Sequence, residues 1–397
     1  MEGPPAMSAT DVTRATPDLR YGESEEDLRK VVRGLFTDRS PLPAVLAHVD
    51  RAILPHDSVL WHSLAAELGC AGLLIPESQG GAGASYREAA VVAEETGRAV
   101  APVPFLGSAV VATTALLGTG DKLLSELASG RVSAALAVEF TRMPPGAGVP
   151  GSAWGVHVAK SEPGDLDDVT RLTGTVSGVA DALGADVLLV PADGVPFGLY
   201  AVEGTAAGLR RDPVVSLDAT RPLADITLDG VLGRRVATGE AATSAVAAAL
   251  RAGAGMLASE QLGVGQRCLE MTLAYVKERK QFARPIGSFQ ALKHRIADVW
   301  VSLVQAQAAA RYAAACLATD DPDIPVAVAM AKAACGEAAV HAAQECVQLH
   351  GGVGFTWEHP AHLLLKRAKS GSLAFGTPDR HRASLAHLVD LPPPLQA

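Results

Sequence analysis

The chain has 397 residues, of which 48% are hydrophobic and 19% are charged, a composition typical of a globular protein and not of a disordered one. A chain of this length exceeds what one hydrophobic core usually organises, so we expect about two or three structural units. The net charge of −9 argues against a nucleic-acid partner, because such a partner requires a concentrated basic face.

The N-terminus and the cysteines indicate a cytoplasmic protein. Residues 1–21 lack the charged-then-apolar order of a signal peptide, and we expect them to form a mobile tail. No apolar run reaches the roughly 18 residues of a membrane span, so we expect no membrane partner. The cysteines show neither CxxC nor zinc-ligand spacing, which predicts reduced, mostly buried thiols. They are Cys70, Cys268, Cys316, Cys335 and Cys346.

A helical pattern runs through residues 22–130, which we predict to form an N-terminal helical domain. It opens at Ser24, whose side chain can cap the first amides, with Asp27 at the capping-box position. Glycines and a proline interrupt the pattern over residues 69–83 and predict a loop. That loop is either a hinge near a ligand mouth or, as its composition favours, a plain connection between helices.

Short apolar and β-branched runs replace the helical period in residues 131–240. Clusters of glycine, proline and aspartate separate these runs, and no long period of 3.6 residues is present. This pattern predicts a small antiparallel β domain. The predicted strands cover residues 134–140, 154–158, 186–190, 199–202 and 224–228.

Helical periodicity returns in residues 241–397, which we predict to form a four-helix-bundle domain. A third helix of this part is expected over residues 324–350 and is ended by two glycines. The predicted fold class is therefore α+β, mostly α, in the order helical, β, helical. The apolar seams that carry this prediction are Leu262, Leu269, Leu273 and Val276, and then Phe289, Leu292, Ile296, Val299 and Leu303.

Two segments of this last part combine residue types that suit a phosphate-containing cofactor. Residues 279–290 read Arg-Lys-Gln-Phe-Ala-Arg-Pro-Ile-Gly-Ser-Phe-Gln, and residues 348–355 read Gln-Leu-His-Gly-Gly-Val-Gly-Phe. Arginine offers a planar fork of donors to phosphate oxygens, and glutamine both donates and accepts. Consecutive glycines let backbone amides approach an anion. The alternative reading is structural, with Arg279 and Arg284 as solvated charges at a helix end and Gly351 as a C-cap.

Together with a weaker glycine-rich marker at residues 72–83, these segments resemble the acyl-CoA dehydrogenase family. The resemblance extends from about residue 22 to the end and implies a helical domain, a middle antiparallel β domain and a helical bundle. It implies α,β-desaturation of an acyl-CoA thioester, with FAD as cofactor and an electron-transfer flavoprotein or another acceptor as partner. In the family the matching residues contact FAD that is bound mainly by an adjacent subunit. They are Arg279, Gln281, Phe282, Ile286, Gln290, Gln348, Gly351 and Gly352.

The catalytic glutamate of that family is absent from both of its usual positions. The family segment Tyr-Glu-Gly-Thr matches Ala-Phe-Gly-Thr at residues 374–377, so Phe375 stands where the base would be. Phenylalanine cannot accept a proton. Some members carry the glutamate on the first long helix of the bundle, where this chain has Gly253. Glu260 and Asp379 are the nearest carboxylates and stay open as alternatives, so no catalytic residue is assigned.

The middle domain departs from the family pattern as well. The motif Lys-x-Trp-Ile-Thr-Asn, which shields the flavin ring, matches residues 176–181, where Gly178 replaces the tryptophan and Ala180 the threonine. The family's Thr-Glu-Pro matches Val-Glu-Phe at residues 138–140. Residues that would serve a neighbour's FAD are thus kept, and those that would serve this chain's own flavin are changed. This asymmetry resembles the base-lacking subunit of heteromeric, actinobacterial-type acyl-CoA dehydrogenases.

Three hypotheses follow from the sequence. In the leading one the chain completes the FAD site of a homologous acyl-CoA dehydrogenase subunit in a heteromeric assembly such as a heterotetramer. The alternatives are an active homomeric dehydrogenase with a relocated base, and a flavin-free assembly protein of the same fold. No metal site is expected, because His359 and His362 lack a second ligand group at suitable spacing.

Overall fold

The computed structural model describes residues 17–51, 55–146, 154–158 and 168–391. The predicted mobile tail lies outside these residues except for residues 17–21. In that short stretch the Tyr21 hydroxyl donates to Glu94 at 3.1 Å, and the Arg311 guanidinium lies 4.2 Å from the centroid of the Tyr21 ring. The chain just before the first helix is therefore held against the helical domain.

Helices build the first part of the chain, and the first of them starts one residue earlier than predicted. Gly22 is its N-cap, and the Glu25 carboxylate accepts a hydrogen bond from the Gly22 amide at 2.7 Å. The predicted cap at Ser24 and Asp27 is wrong, because acidic residues in the first turn favour this earlier start. The helices are α1 (Glu23–Arg39), α2 (Leu42–Val49), α3 (Ser58–His62), α4 (Tyr86–Ala99), α5 (Thr113–Leu116) and α6 (Leu123–Ala128), with π-helical turns at Ser63–Glu67 and Phe105–Ala112.

The middle part is a sheet with strand order β1-β4-β5-β7-β3-β2, in which β6 also pairs with β7. Its strands are β1 (Ala134–Leu136), β2 (Val156–Val158), β3 (Val169–Ala180), β4 (Val187–Ala192), β5 (Gly198–Glu203), β6 (Leu209–Val214) and β7 (Leu223–Thr238). The prediction of a purely antiparallel sheet is wrong at one pair, since β1 and β4 are parallel. The long connection through β2 and β3 supplies the crossover that parallel pairing needs.

Two of these strands were missed in the sequence. β3 contains Gly174 and Gly178, and β6 reads Leu-Arg-Arg-Asp-Pro-Val, so neither shows the apolar alternation of a half-buried strand. Both pair along β7, with Leu172 opposite Val231 and Leu209 opposite Leu228. Strand formation here depends on the partner strand more than on local residue preference.

The last part is helical, and the predicted order of helical, β and helical parts is confirmed. The helix predicted for residues 324–350 has those bounds in the structure. The elements are α7 (Gly239–Glu278), a short hairpin of β8 (Lys280–Gln281) and β9 (Arg284–Pro285), α8 (Gln290–Ala318), α9 (Ile324–His350), α10 (Ala361–Leu373) and α11 (Pro378–Leu388).

Helices α7 and α9 run parallel and in close contact. A Cβ atom on Gly255 would lie 3.5 Å from Val328 Cγ2, and one on Gly265 would lie 3.6 Å from Ala339 Cα. Because both residue numbers rise together, the two helices point in the same direction. Their C-terminal ends therefore reach the same end of the bundle, where the rings of Tyr275 and His350 stack at 4.4 Å.

Two helical segments, Gly239–Glu278 and Ile324–Phe355, are long and apolar enough to cross a bilayer by length and composition alone. In this fold 61% and 67% of their most apolar stretches are buried inside the protein. Their apolar side chains face the neighbouring helices, which is the usual environment of the core helices of a bundle.

Candidate functional site

The hairpin between α7 and α8 carries the first of the two predicted cofactor segments. Its turn consists of Phe282 and Ala283, whose φ angles are +51° and +59°. Side-chain-bearing residues rarely adopt this left-handed conformation, which costs about 1–3 kcal/mol and concentrates at ligand clamps and other functional sites. The turn holds the Phe282 ring out of the protein, with 87% of the residue exposed.

The polar residues of this segment face outward. Arg279 follows the last residue of α7 and is exposed, as are Gln281 and Gln290, whereas Ile286 is half-buried. Arg279 forms no ion pair with any residue that the structure describes. Its guanidinium donors are therefore available to an anion, and phosphate oxygens match their planar arrangement.

The second predicted segment lies at the C-terminal end of α9. Gln348 is exposed in the last turn, and Gly351 adopts φ +63° and ψ −142°, a conformation that favours glycine. A short 3-10 helix, Gly351–Phe355, then leads away from α9. Gly352 is exposed, and a Cβ atom placed on it would meet nothing within 4 Å. The backbone here is accessible to a ligand.

The structure brings the two segments together at one end of the bundle, because α7 and α9 are parallel. Large apolar side chains on this edge are exposed: Phe282 at 87%, Phe355 at 83% and Trp357 at 57%. Apolar surface of this kind commonly marks an interaction site. The residues predicted to contact FAD thus share one exposed edge, and their individual contacts with the cofactor stay predictions.

The two positions of the family base also meet in space, although they are far apart in the sequence. A Cβ atom on Gly253 would lie 2.8 Å from Phe375 Cζ and 2.8 Å from Val111 Cγ2. The Phe375 ring is 3% exposed and packs edge-on against Phe140 at 5.5 Å between centroids. An aromatic ring therefore fills the space that both base positions border, and the missing side chain of Gly253 makes room for it.

Little open space remains beside this ring. The cavity there has a volume of about 20 Å³, which is enough for about one water molecule. An acyl chain would need the surrounding side chains to move. The cavity is lined by Leu106, Gly107, Val111, Leu136, Val138, Phe140, Ala180, Asp181 and Phe375.

The turn that carries Phe375 is held from three sides. The Phe375 amide donates to the Phe140 carbonyl at 2.8 Å, and His381 Nε2 donates to the Phe375 carbonyl at 2.9 Å. The fully buried Lys332 donates to the carbonyls of Gly371 at 2.9 Å and Gly376 at 3.3 Å. Burial lowers the pKa of Lys332 to about 7. These contacts fix the ring in place.

Glu260, the first alternative candidate for a base, lies in a buried network of charges. Its carboxylate accepts hydrogen bonds from Arg221 at 2.6 Å and from Arg367 at 2.8 Å, and Arg367 also donates to Asp218 at 3.2 Å. Burial raises the pKa of Glu260, but the two guanidinium groups outweigh it and lower the pKa overall. Both carboxylate oxygens are thus occupied, and the group is a weak proton acceptor.

Asp379, the second alternative, lies on the surface. It belongs to the first turn of α11, its side chain is 93% exposed, and it accepts from Arg382 at 3.2 Å. The partners of Glu260, namely Arg221, Arg367 and Asp218, were missed in the sequence. Charged residues ordinarily face solvent, and only contacts between distant parts of the chain show that these three are buried.

A larger cavity of about 510 Å³ is formed by the segments whose family motifs are changed. The charged residues in its wall are Glu139 and Asp225, and the described lining contains no lysine or arginine. The Gly178 amide already donates to Asp225 at 2.8 Å. This wall suits the phosphate-bearing part of FAD poorly, whereas the exposed edge around Arg279 suits it well.

The chain is similar to known proteins over nearly its whole length. The descriptions "Acyl-CoA dehydrogenase, N-terminal domain" and "Acyl-CoA dehydrogenase, C-terminal domain" match residues 22–131 and 243–389. The acyl-CoA dehydrogenase IpdE2 of Mycobacterium tuberculosis is 35% identical over 90% of this chain and 94% of its own length.

Solved structures agree with this similarity. The ChsE4–ChsE5 complex from Mycobacterium tuberculosis contains a chain with a TM-score of 0.82 and 28% identity, covering 95% of this chain and 100% of that one. The steroid ACAD Tcur3481–Tcur3483 has a TM-score of 0.80 and 31% identity, covering 93% and 98%.

Proposed function

The chain is a member of the acyl-CoA dehydrogenase family, and on that premise we propose that it is the base-lacking subunit of a heteromeric acyl-CoA dehydrogenase. Members of this family are flavin-dependent oxidoreductases of lipid metabolism that act on CH–CH bonds. In this proposal the homologous partner subunit supplies the general base, and this chain completes the partner's FAD site.

One observation carries the proposal: Phe375 and Gly253 occupy both base positions, and the Phe375 ring packs against Gly253. A positioned general base typically contributes about 10²–10⁴ in rate, and neither residue has a group that accepts a proton. The hydrogen bonds of Glu260 and the exposure of Asp379 give no support to a relocated base.

The exposed edge of the bundle supplies what such a subunit needs. FAD, when bound, supplies the hydride acceptor of the dehydrogenation. Arg279 offers its guanidinium donors to phosphate oxygens, Phe282 offers an apolar face, and the backbone at Gly351 and Gly352 is open to close approach. Because this edge lies on the surface of the chain, a second subunit is needed to enclose a cofactor there.

The partner and the substrate are proposed at the level of chemical class. The similarity to the ChsE4–ChsE5 complex supports a heteromeric assembly, and the family supports an acyl-CoA thioester as substrate. An electron-transfer flavoprotein or another acceptor would receive the electrons. A cytoplasmic location is part of the same proposal.

The visible absorption spectrum of the purified chain tests the proposal. We expect the chain alone to lack stoichiometric FAD, and the chain co-expressed with a base-bearing homologue to retain FAD and to reduce a dye with an acyl-CoA. The proposal is wrong if the chain alone carries stoichiometric FAD and oxidises an acyl-CoA. Absence of flavin absorbance even with the partner would favour a flavin-free assembly protein instead.

A further inference from the structure

Two cysteines meet between helices α7 and α9. All five cysteines are buried and carry free thiols, but the thiols of Cys268 on α7 and Cys346 on α9 share a hydrogen bond. His350 is the third member of the group, with its Nδ1 atom 3.7 Å from Cys346 Sγ. The same Nδ1 donates to the Cys346 carbonyl at 2.6 Å. The fold thus places two thiols and an imidazole in contact.

The backbones of the two helices are unusually close near this pair. A Cβ atom on Gly265, less than one turn from Cys268, would lie 3.6 Å from Ala339 Cα and 3.7 Å from Ala342 Cβ. A disulfide requires Cα atoms about 4.4–6.8 Å apart, which is possible between helices only where small residues allow this approach. The glycine and the alanines provide it directly below the thiols.

The surroundings of Cys346 differ from those of other buried thiols. The hydrogen bond from Cys268, together with those from His350 and Thr272, lowers the pKa of Cys346 despite its burial. Burial instead raises the pKa of Cys70 and of Cys335 to about 12. Because the thiolate is the reactive form, equally buried cysteines of this chain should differ strongly in reactivity.

The pair also joins the two helices that carry the predicted FAD-contacting segments. Cys346 lies in the same helical turn as Gln348, and His350 immediately precedes Gly351. Cys268 lies on α7, which ends at Glu278 and leads directly into Arg279. A covalent link between the thiols would fix the two segments relative to each other.

From this arrangement we infer that Cys268 and Cys346 are a redox-active dithiol that hydrogen peroxide converts into a disulfide joining α7 and α9. The Cys346 thiolate attacks one peroxide oxygen, so that an S–O bond forms, the O–O bond breaks and one water leaves. The Cys268 thiol then attacks the sulfenic sulfur, so that the S–S bond forms, the S–O bond breaks and a second water leaves. Two thiols are oxidised and one peroxide is reduced to two waters.

The test uses the full chain, reduced, freed of reductant and treated with graded hydrogen peroxide. After the remaining thiols are alkylated, cleavage on the carboxyl side of glutamate yields residues 261–270 and 346–358, each with a single cysteine. We expect these two peptides to be cross-linked, with loss of two hydrogens, and to separate on addition of dithiothreitol. Cys70 and Cys335 should remain alkylated as free thiols at the same peroxide concentration.

Serine variants give the order of the two steps. In Cys268→Ser, Cys346 should form a sulfenic acid that dimedone traps, whereas in Cys346→Ser the remaining Cys268 should give no adduct. Cys335→Ser, a matched buried control, should cross-link as the wild type does. Absence of the cross-linked peptide from the wild type, or equal oxidation of Cys335, would overturn the inference. Because mass spectrometry reads the thiols directly, the result is independent of FAD and of any partner subunit.

Discussion

At the scale of single residues, Phe375 and Gly253 decide the chemistry of this chain. Their distance in the sequence conceals that they form one packing unit, with the aromatic ring filling the space beside the glycine. The same unit removes both base positions of the family and leaves a cavity of only about 20 Å³. Loss of the base and closure of the surrounding space therefore have one structural cause.

Replacing Phe375 with alanine should destabilise the protein strongly. The ring is 3% exposed, and removing a buried phenylalanine typically costs about 3–5 kcal/mol because a cavity remains. Urea unfolding followed by circular dichroism measures the change. Phe355→Ala is the matched control, since Phe355 is 83% exposed and its loss should leave stability near that of the wild type. Similar midpoints for both variants would contradict the packing role of Phe375.

Glu260 gives a second prediction at this scale. Glu260→Gln keeps the shape of the side chain but leaves Arg221 and Arg367 buried without their shared carboxylate. Breaking a buried ion pair on one side typically costs about 3–5 kcal/mol, so we expect a large loss of unfolding free energy in urea titrations. Asp379→Asn should change little, because the Asp379 side chain is 93% exposed. An unaltered Glu260→Gln protein would refute the structural role of the network.

At the scale of elements, the turn between α10 and α11 depends on a lysine from α9. Lys332 holds the carbonyls of Gly371 and Gly376, which lie on either side of Phe375. Burial lowers the pKa of this lysine to about 7, well below the value of about 10.4 for an exposed lysine. The fixed position of the Phe375 ring is thus linked to a buried titratable group.

This linkage predicts the pH dependence of stability. Between pH 7 and about 10.4 the unfolded chain binds the Lys332 proton and the folded chain does not, so stability should rise with pH in that window. The slope should be absent from Lys332→Met and retained in Lys280→Met, whose lysine is exposed. Urea unfolding at several pH values compares the three proteins. Parallel curves for the wild type and Lys332→Met would rule out this titration.

The hairpin after α7 is the other element that the fold holds under strain. Phe282 and Ala283 both adopt positive φ angles in a two-residue turn, where glycine or asparagine is the usual choice. The conformation displays the Phe282 ring beside Arg279 at the end of the bundle. In the proposed assembly this strain fixes the edge that meets the cofactor before the partner binds.

At the scale of the whole molecule, the parallel course of α7 and α9 creates that edge. Each helix ends at one of the two predicted cofactor segments, and the stacked rings of Tyr275 and His350 hold the two ends together at 4.4 Å. The described chain exposes large apolar side chains there. A surface of this kind is expected where a second subunit binds.

A variant of this edge tests the shared cofactor site in the assembled complex. In a co-purified heteromeric complex, Arg279→Ala in this chain should lower the ratio of FAD to protein, because it removes donors to phosphate oxygens. Arg210→Ala is a suitable control, since Arg210 is exposed on β6 and pairs with Asp212 at 2.7 Å. The ratio follows from the absorbance at 450 nm and 280 nm on the order of accuracy of such spectra. Equal FAD content in both variants would separate Arg279 from cofactor binding.

The sequence alone determined those features that depend on neighbouring residues. Helical periodicity defined α9 with the bounds that the structure has, and local residue types identified the hairpin and the glycine turn as cofactor segments. The absence of a glutamate at residues 253 and 375 is likewise legible in one dimension. The order of helical, β and helical parts follows from the same local patterns.

Only the tertiary structure decided the features that depend on contacts between distant residues. β3 and β6 become strands because β7 pairs with them, and Glu260 changes from a possible base to an ion-pair partner because Arg221 and Arg367 surround it. Phe375 closes the space beside Gly253 because α7 and the turn after α10 pack together. Residue type and period encode the backbone locally, whereas burial and charge pairing arise only once the chain has folded onto itself.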